Sequence, residues 1–208
     1  MMTVNNIRAD DAATAAAVVA YLSTNPDPGL RARPSDVLAA SLLSGQALVV
    51  QDGSRIVGCS IIFKFVTELP LYVYSEIGSM RITANGLGLQ RFIAQVHILQ
   101  MHLEEDIHGD PSVFAIVSPG SASEHNLRMI GMEPWVPTPA LSTSRAASGV
   151  PLREDKLVLG AYENALETAY RDLEALHLKG SSFASPKGGG EISLQAGWFE
   201  SSLLAAGP

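Results

Sequence analysis

Thr83-Ala84-Asn85-Gly86-Leu87-Gly88 is the stretch whose reading decides the fold. Upstream of it, Leu71 to Ile82 (LYVYSEIGSMRI) is rich in strand formers. Downstream, Leu89 to Ile107 contains no Gly or Pro, and Phe92, Val96, Leu99, Leu103 and Ile107 recur at helical spacing. A strand therefore ends, a glycine turn follows, and a core helix begins. A helix N-terminus carries unpaired backbone N–H groups and the positive end of the helix dipole. Glycines let that backbone approach a ligand with no Cβ in the way. Together these features make an anion site, typically for phosphate. On spacing alone, a plain tight turn explains Gly-x-Gly equally well, so the flanking elements carry the argument.

Before the turn, Thr3–Ile7 reads as a first strand and Ala9–Leu22 as an alanine-rich helix opened by Asp10 and Asp11. Asn25-Pro26-Asp27-Pro28-Gly29 breaks that helix, and Pro34–Leu43 forms a second. Ala47–Val50 and Ile56–Phe65 pair across Asp52-Gly53, a hairpin signal. Along Leu71–Ile82, the period of two puts Tyr72, Tyr74 and Glu76 on one face. After the long helix come a strand at Ser112–Val117, a helix at Ser121–Ile130, and Gly131-Met132-Glu133-Pro134-Trp135. Trp135–Ala140 and Lys156–Ala161 read as two final strands, with Ser142–Gly149 a small, polar hairpin loop between them. Tyr162–Leu178 is a terminal helix with a Leu166, Tyr170, Leu173 and Leu176 stripe. Ser181–Gly190 is a Ser/Gly linker, and Ile192–Leu204 a further strand or docked segment.

Composition narrows the function classes. With 47% hydrophobic and 17% charged residues over 208 positions, the chain has material for a full core. The net charge of −7 argues against a large nucleic-acid surface; it is compatible with a cationic acceptor such as an amine, and a soluble acidic surface explains it equally well. Cys59 is the one cysteine, so no disulfide framework forms within a chain, and its strand neighbours mark it as a buried small hydrophobe. His97, His102 and His108 lack a zinc-type spacing, so no metal is expected. No basic start with a long apolar core, and no run of about 18 apolar residues, is present. The expectation is a cytoplasmic protein with no membrane partner.

In their order and spacing these motifs resemble the GCN5-related N-acetyltransferase (GNAT) superfamily over about residues 3 to 160. Gly86 and Gly88 match that family's Gln/Arg-x-x-Gly-x-Gly/Ala loop, with Thr83 where Gln or Arg is usual. Val113–Val117, the polar SPGSASEHNLRM and Ile130-Gly131-Met132 match its strand, short helix and Leu-Gly-Phe. The resemblance implies an α/β (α+β) fold: a mixed, mostly antiparallel twisted sheet flanked by helices, with splayed fourth and fifth strands. Residues 1–161 would form the acyl-CoA-binding acyltransferase domain. Residues 162–208 would form a C-terminal helix, linker and tail packed on that domain or on a partner subunit, which leaves a homodimer open.

The implied activity is transfer of an acetyl or other short acyl group from acyl-CoA, acetyl-CoA first, to an amine of a small molecule. The alternative is a catalytically impaired acyl-CoA-binding or sensing module of the same fold. Thr83, Ala84, Asn85, Gly86, Leu87, Gly88, Leu89 and Gln90 would hold the pyrophosphate, and Ile77, Gly78, Ser79 and Met80 the pantetheine arm. Glu76, the one acid within the fourth strand, would deprotonate the amine, and Tyr72 and Tyr74 would shape the acceptor pocket. Many family members protonate the departing thiolate with a tyrosine four residues before the Leu-Gly-Phe glycine. Here that position is Leu127, and Ser123 and His125 are the nearby substitutes. The linker Asn25–Arg33 reads as an acceptor-site wall or as a plain surface loop.

Overall fold

The computed structural model describes residues 2–6, 11–25, 33–43, 47–68, 71–83, 88–104, 111–177, 182–184 and 191–194. The glycine turn at 84–87, His108 and all of the Asn25–Arg33 linker but its two end residues lie outside the described residues. The strands are β1 (Met2–Asn6), β2 (Ala47–Asp52), β3 (Arg55–Glu68), β4 (Leu71–Ile82), β5 (Val113–Val117), β6 (Glu133–Pro134), β7 (Leu157–Gly160), β8 (Ser182–Ala184) and β9 (Glu191–Leu194). The helices are α1 (Ala12–Thr24), α2 (Ser35–Leu43), α3 (Leu89–Glu104), α4 (Ala122–Arg128), α5 (Pro139–Ala147) and α6 (Glu163–His177).

All the strands join one sheet in the order β6-β7-β5-β4-β3-β2-β1-β9-β8. It is mostly antiparallel; β4–β5 and β1–β9 are the parallel pairs among the described residues. The mixed sheet and the parallel fourth and fifth strands are as the resemblance implies.

Strand alternation sends side chains to two helical layers. Ala47, Val49, Ile61, Phe63 and Phe65 face α1, α2 and α5, burying Val18, Leu42 and Leu141. Leu48, Val50 and Ile62 face the opposite side, where α3, α4 and α6 cover them. Because α6 lies across α3, residues 92–99 of α3 are all buried rather than one stripe of them. In α6 the most deeply buried positions are Ala165, Ala169 and Leu173, with Leu166 and Tyr170 only partly buried. Small residues there bring the two helix backbones close. Gln95 Nε2 donates to Asp172 Oδ2 at 2.7 Å across the contact.

Three sequence expectations fail in the C-terminal third. Trp135–Ala140 is not a strand: the short strand beside β7 is Glu133–Pro134, and Trp135 adds one bond, its N donating to Val158 O at 3.0 Å. Ser142–Gly149 is not a hairpin loop, because Pro139–Ala147 is helical. Thr138 caps that helix, its side chain accepting from Leu141 N at 3.2 Å, and Pro139 occupies the first turn, where its missing N–H costs nothing. The expected linker also contains β8, which pairs with β9 at the sheet edge.

Candidate active site

The site begins where β4 and β5 part. They pair at two positions, Ser75↔Val113 and Glu76↔Phe114, and Ser75 N donates to Ser112 O at 2.7 Å. Beyond Glu76, β4 stays with β3 as far as Ile82, while β5 stays with β7 through Val117↔Leu157. Two strands held by different neighbours diverge, and a cavity of about 440 Å³ opens between residues 76–81 and 115–118. Past Glu76, the β4 edge facing β5 has backbone groups that the β5 ladder does not use.

A bulge sits on that edge. Ile61 pairs with Gly78 and Cys59 with Arg81, so Ser60 faces both Ser79 and Met80. Ser79 takes φ +46°, a left-handed conformation unfavourable for a residue with a side chain. Such a bulge bends the strand and re-aims its backbone groups. Gly78 belongs here because an added Cβ would lie 2.9 Å from the Phe63 ring. Cys59 lies under the bulge with its Sγ 3.7 Å from Ser79 O. Burial pushes its thiol up to about 12, which rules it out as a nucleophile.

Glu76 marks the inner end of the cavity. Its carboxylate is buried, and its Oε2 accepts from Arg33 Nη2 at 2.7 Å and from Arg145 Nη1. Its Oε1 accepts no hydrogen bond among the described residues. The Arg33 guanidinium lies 3.8 Å from the Phe63 ring centroid, and that of Arg145 4.8 Å from Phe65. Burial pulls Arg145 below the usual guanidinium range, an effect opposed by the Glu76 charge. Removing the carboxylate from such a buried cluster costs about 3–5 kcal/mol, because it leaves both guanidiniums uncompensated.

At the other side, Gln90 at the start of α3 reaches α4. Its Nε2 donates to Ser123 Oγ at 2.8 Å, and its Oε1 accepts from Asn126 Nδ2 at 2.8 Å. Ser121 caps α4, its side chain accepting from Glu124 N. Gly131 takes φ +89° at the end of α4, and an added Cβ there would lie 3.1 Å from the Ala165 backbone. The glycine thus allows α4 to seat against α6. Lys156 Nζ donates to Ser118 Oγ at 2.8 Å where the cavity opens past β5.

The cavity thus gathers Glu76, Ile77, Gly78, Ser79, Met80, Gln90 and Ser123 from the sequence-derived candidates. It does not gather Tyr72, Tyr74, Thr83, Gly88, Leu89 or His125. Tyr74 is buried, stacked on Trp135 with ring centroids 5.8 Å apart, and its hydroxyl lies 3.3 Å from Thr138 Oγ1. Tyr72 packs beside it at 4.6 Å between centroids, so neither tyrosine lines the cavity. His125 is exposed on α4, away from the lining. Thr83 is tied to β3, donating from its N and Oγ1 to Val57 O at 2.8 and 3.1 Å. Gly88 takes φ +72° immediately before α3, and Leu89 is buried in the core. Ala84, Asn85, Gly86 and Leu87 lie outside the described residues. Leu127, the usual tyrosine position, is buried against the cavity and offers no proton.

Arg145 was not found from sequence. It lies in a Ser/Ala-rich run that reads as a loop, and a lone arginine there gives no signal. The Thr138-Pro139 start of α5 was the one available clue. Arg33 ends the linker already singled out as a wall, and together with Asn25 it does line the cavity.

No family model matches the sequence, and no curated protein does. Solved structures match by fold. An N-acetyltransferase from Staphylococcus aureus is similar at TM-score 0.52 and 9% identity, over 76% of this chain and 96% of that one. A mosquito arylalkylamine N-acetyltransferase like 5b is similar at TM-score 0.51 and 15% identity, over 76% and 98%. Arabidopsis thaliana Naa50, in complex with a bisubstrate analogue of coenzyme A, is similar at TM-score 0.50 and 14% identity, over 77% and 98%. At these identities the likeness is one of fold.

Proposed function

We propose, for a chain that has the fold of the GCN5-related N-acetyltransferases, that it transfers an acetyl or other short acyl group from acyl-CoA to an amine of a small molecule. The observation that carries this reading is the cleft between β4 and β5, closed at its inner end by the buried carboxylate of Glu76. The free edge at Ile77–Met80 suits the amides of a pantetheine arm, which would add to β4 like a further strand. The pyrophosphate would sit at the start of α3, at the backbone N–H groups of Gly88, Leu89 and Gln90.

The amine arrives as an ammonium and has no lone pair until it loses a proton. Glu76 Oε1, which accepts no other hydrogen bond among the described residues, receives that proton. The nitrogen lone pair then forms the N–C bond at the thioester carbonyl, the nitrogen releases its second proton to solvent, and the C–S bond breaks as the tetrahedral intermediate collapses to the neutral amide. Coenzyme A leaves as a thiolate, which at an ordinary pKa near 8.5 needs stabilising more than a dedicated acid. Ser123 Oγ already accepts from Gln90, so its own O–H is available to hydrogen-bond the departing sulfur.

Thiol release from acetyl-CoA across an amine panel tests the reading. Glu76→Gln is expected to lower kcat by about 10²–10⁴ with little change in acetyl-CoA affinity. Coenzyme A binding without turnover on any amine would instead make the protein a sensing module, the role that Leu127 favours.

A further inference from the structure

The charge lining the cavity runs against the charge of the chain. The protein carries a net −7, yet among the described residues the cavity is lined by Arg33, Arg81, Arg145, Arg153 and Lys156 and by one acid, Glu76. At the outer end an acid answers: Arg153 makes two 2.8 Å bonds to Asp155, and Lys156 lies 3.8 Å from it. At the inner end two guanidiniums share one oxygen of one carboxylate, Glu76 Oε2. The side chains of Arg33, Glu76 and Arg145 are 10%, 8% and 5% exposed. Among the described residues, one positive charge is therefore left unbalanced and buried at the acceptor end of the cleft.

A structural ion pair would be complete with one arginine. The second adds a charge that is costly to bury unless an anion joins it. Arg145 Nε is buried with no hydrogen-bond partner among the described residues. A guanidinium held against Phe65 cannot swing out to solvent without giving up that contact. The planar fork is suited to a carboxylate. Glu76 Oε1, beside it, is suited to an ammonium.

We propose that the Arg33–Glu76–Arg145 cluster is a carboxylate subsite that selects an α-amino acid as the acyl acceptor. The acceptor's ammonium meets Glu76 Oε1 and its carboxylate meets the arginines. This assignment of the acceptor rests on the acyltransferase reading; the anion subsite itself does not. A carboxylated acyl group on the donor would offer the same chemistry from the other substrate, and the experiment separates the two.

Calorimetric titration of the full chain with the N-acetyl derivatives of alanine, leucine and phenylalanine, and with their carboxamides, reads the subsite without turnover. At least one free acid is expected to bind about tenfold or more tightly than its amide. Arg33→Gln leaves Glu76 and Arg145 paired and neutral, so it is expected to fold and to reduce that preference to below about twofold. Arg145→Lys keeps the charge and is expected to retain part of the preference. Equal binding of acids and amides by the wild type would overturn the subsite. Thiol release from acetyl-CoA with the free amino acids against their amides then tests the acceptor. Acid-selective turnover supports it. Acid-selective binding with no turnover on any amine would retire the acyltransferase reading and leave the subsite standing. Preference for succinyl-CoA with a neutral amine would assign the carboxylate to the donor and overturn the acceptor proposal.

Discussion

His97 shows at residue scale how the fold sets a pH limit. It is fully buried on α3, neither ring nitrogen meets hydrogen-bond geometry among the described residues, and the nearby Gln100 side chain only partly offsets the cost of burial. Burial pushes its pKa down from 6.5 to about 3. The folded state thus holds it neutral while the unfolded chain binds a proton below about pH 6.5, so stability falls as pH drops from 6.5 toward 3. The loss from this one group between pH 7 and 5 is about 2 kcal/mol. Urea midpoints at the two pH values, for wild type and His97→Leu, measure it. The variant is expected to lose much less stability over that interval, and an identical loss would show that other groups set the acid limit. The sequence offers the same histidine as a dismissed metal ligand, because burial on all sides of α3 follows only once α6 is seen to cover it. Glu76 was legible at this scale from strand periodicity, whereas its two arginines come from segments far away in sequence.

At the scale of elements, local signals served the N-terminal two-thirds well and failed after Trp135. The β2–β3 hairpin, the long β4 and the start of α3 all announce themselves through alternation, turn residues and helical spacing. α5 does not, since Ser142, Thr143 and Ser144 are weak helix formers and its stability comes from a cap and from Leu141, which is buried against β3 and β4 residues. Thr138→Ala removes that cap and the partner of the Tyr74 hydroxyl. A destabilisation of about 1 kcal/mol is expected in urea titration, with weaker binding at the Arg145 end of the cleft. No change in either would mean that packing alone positions α5. α6 is the second element to test. Cutting the chain after Ala161 uncovers the outer face of α3 and is expected to cause aggregation in size-exclusion chromatography. A soluble, equally stable truncation would show α6 to be dispensable.

The whole molecule is a sheet forced open at one point. β3 holds β4 and β7 holds β5, and the space between them is the consequence of that divided loyalty. This much was legible in the sequence, through the order of its motifs. The concentration of cationic side chains in a cavity of an acidic protein was not, because net charge carries no information about where charges gather. The central claim is that this cleft takes acyl-CoA, and calorimetric titration of acetyl-CoA into wild type and Gly88→Glu tests it most directly. Gly88 has φ +72° at the mouth of α3, and the substitution sets bulk and negative charge where the pyrophosphate should lie. The account predicts one binding site per chain in the wild type and an affinity at least about tenfold weaker in a variant whose melting confirms a folded protein. No binding by the wild type, or equal affinities in the two folded proteins, would contradict it.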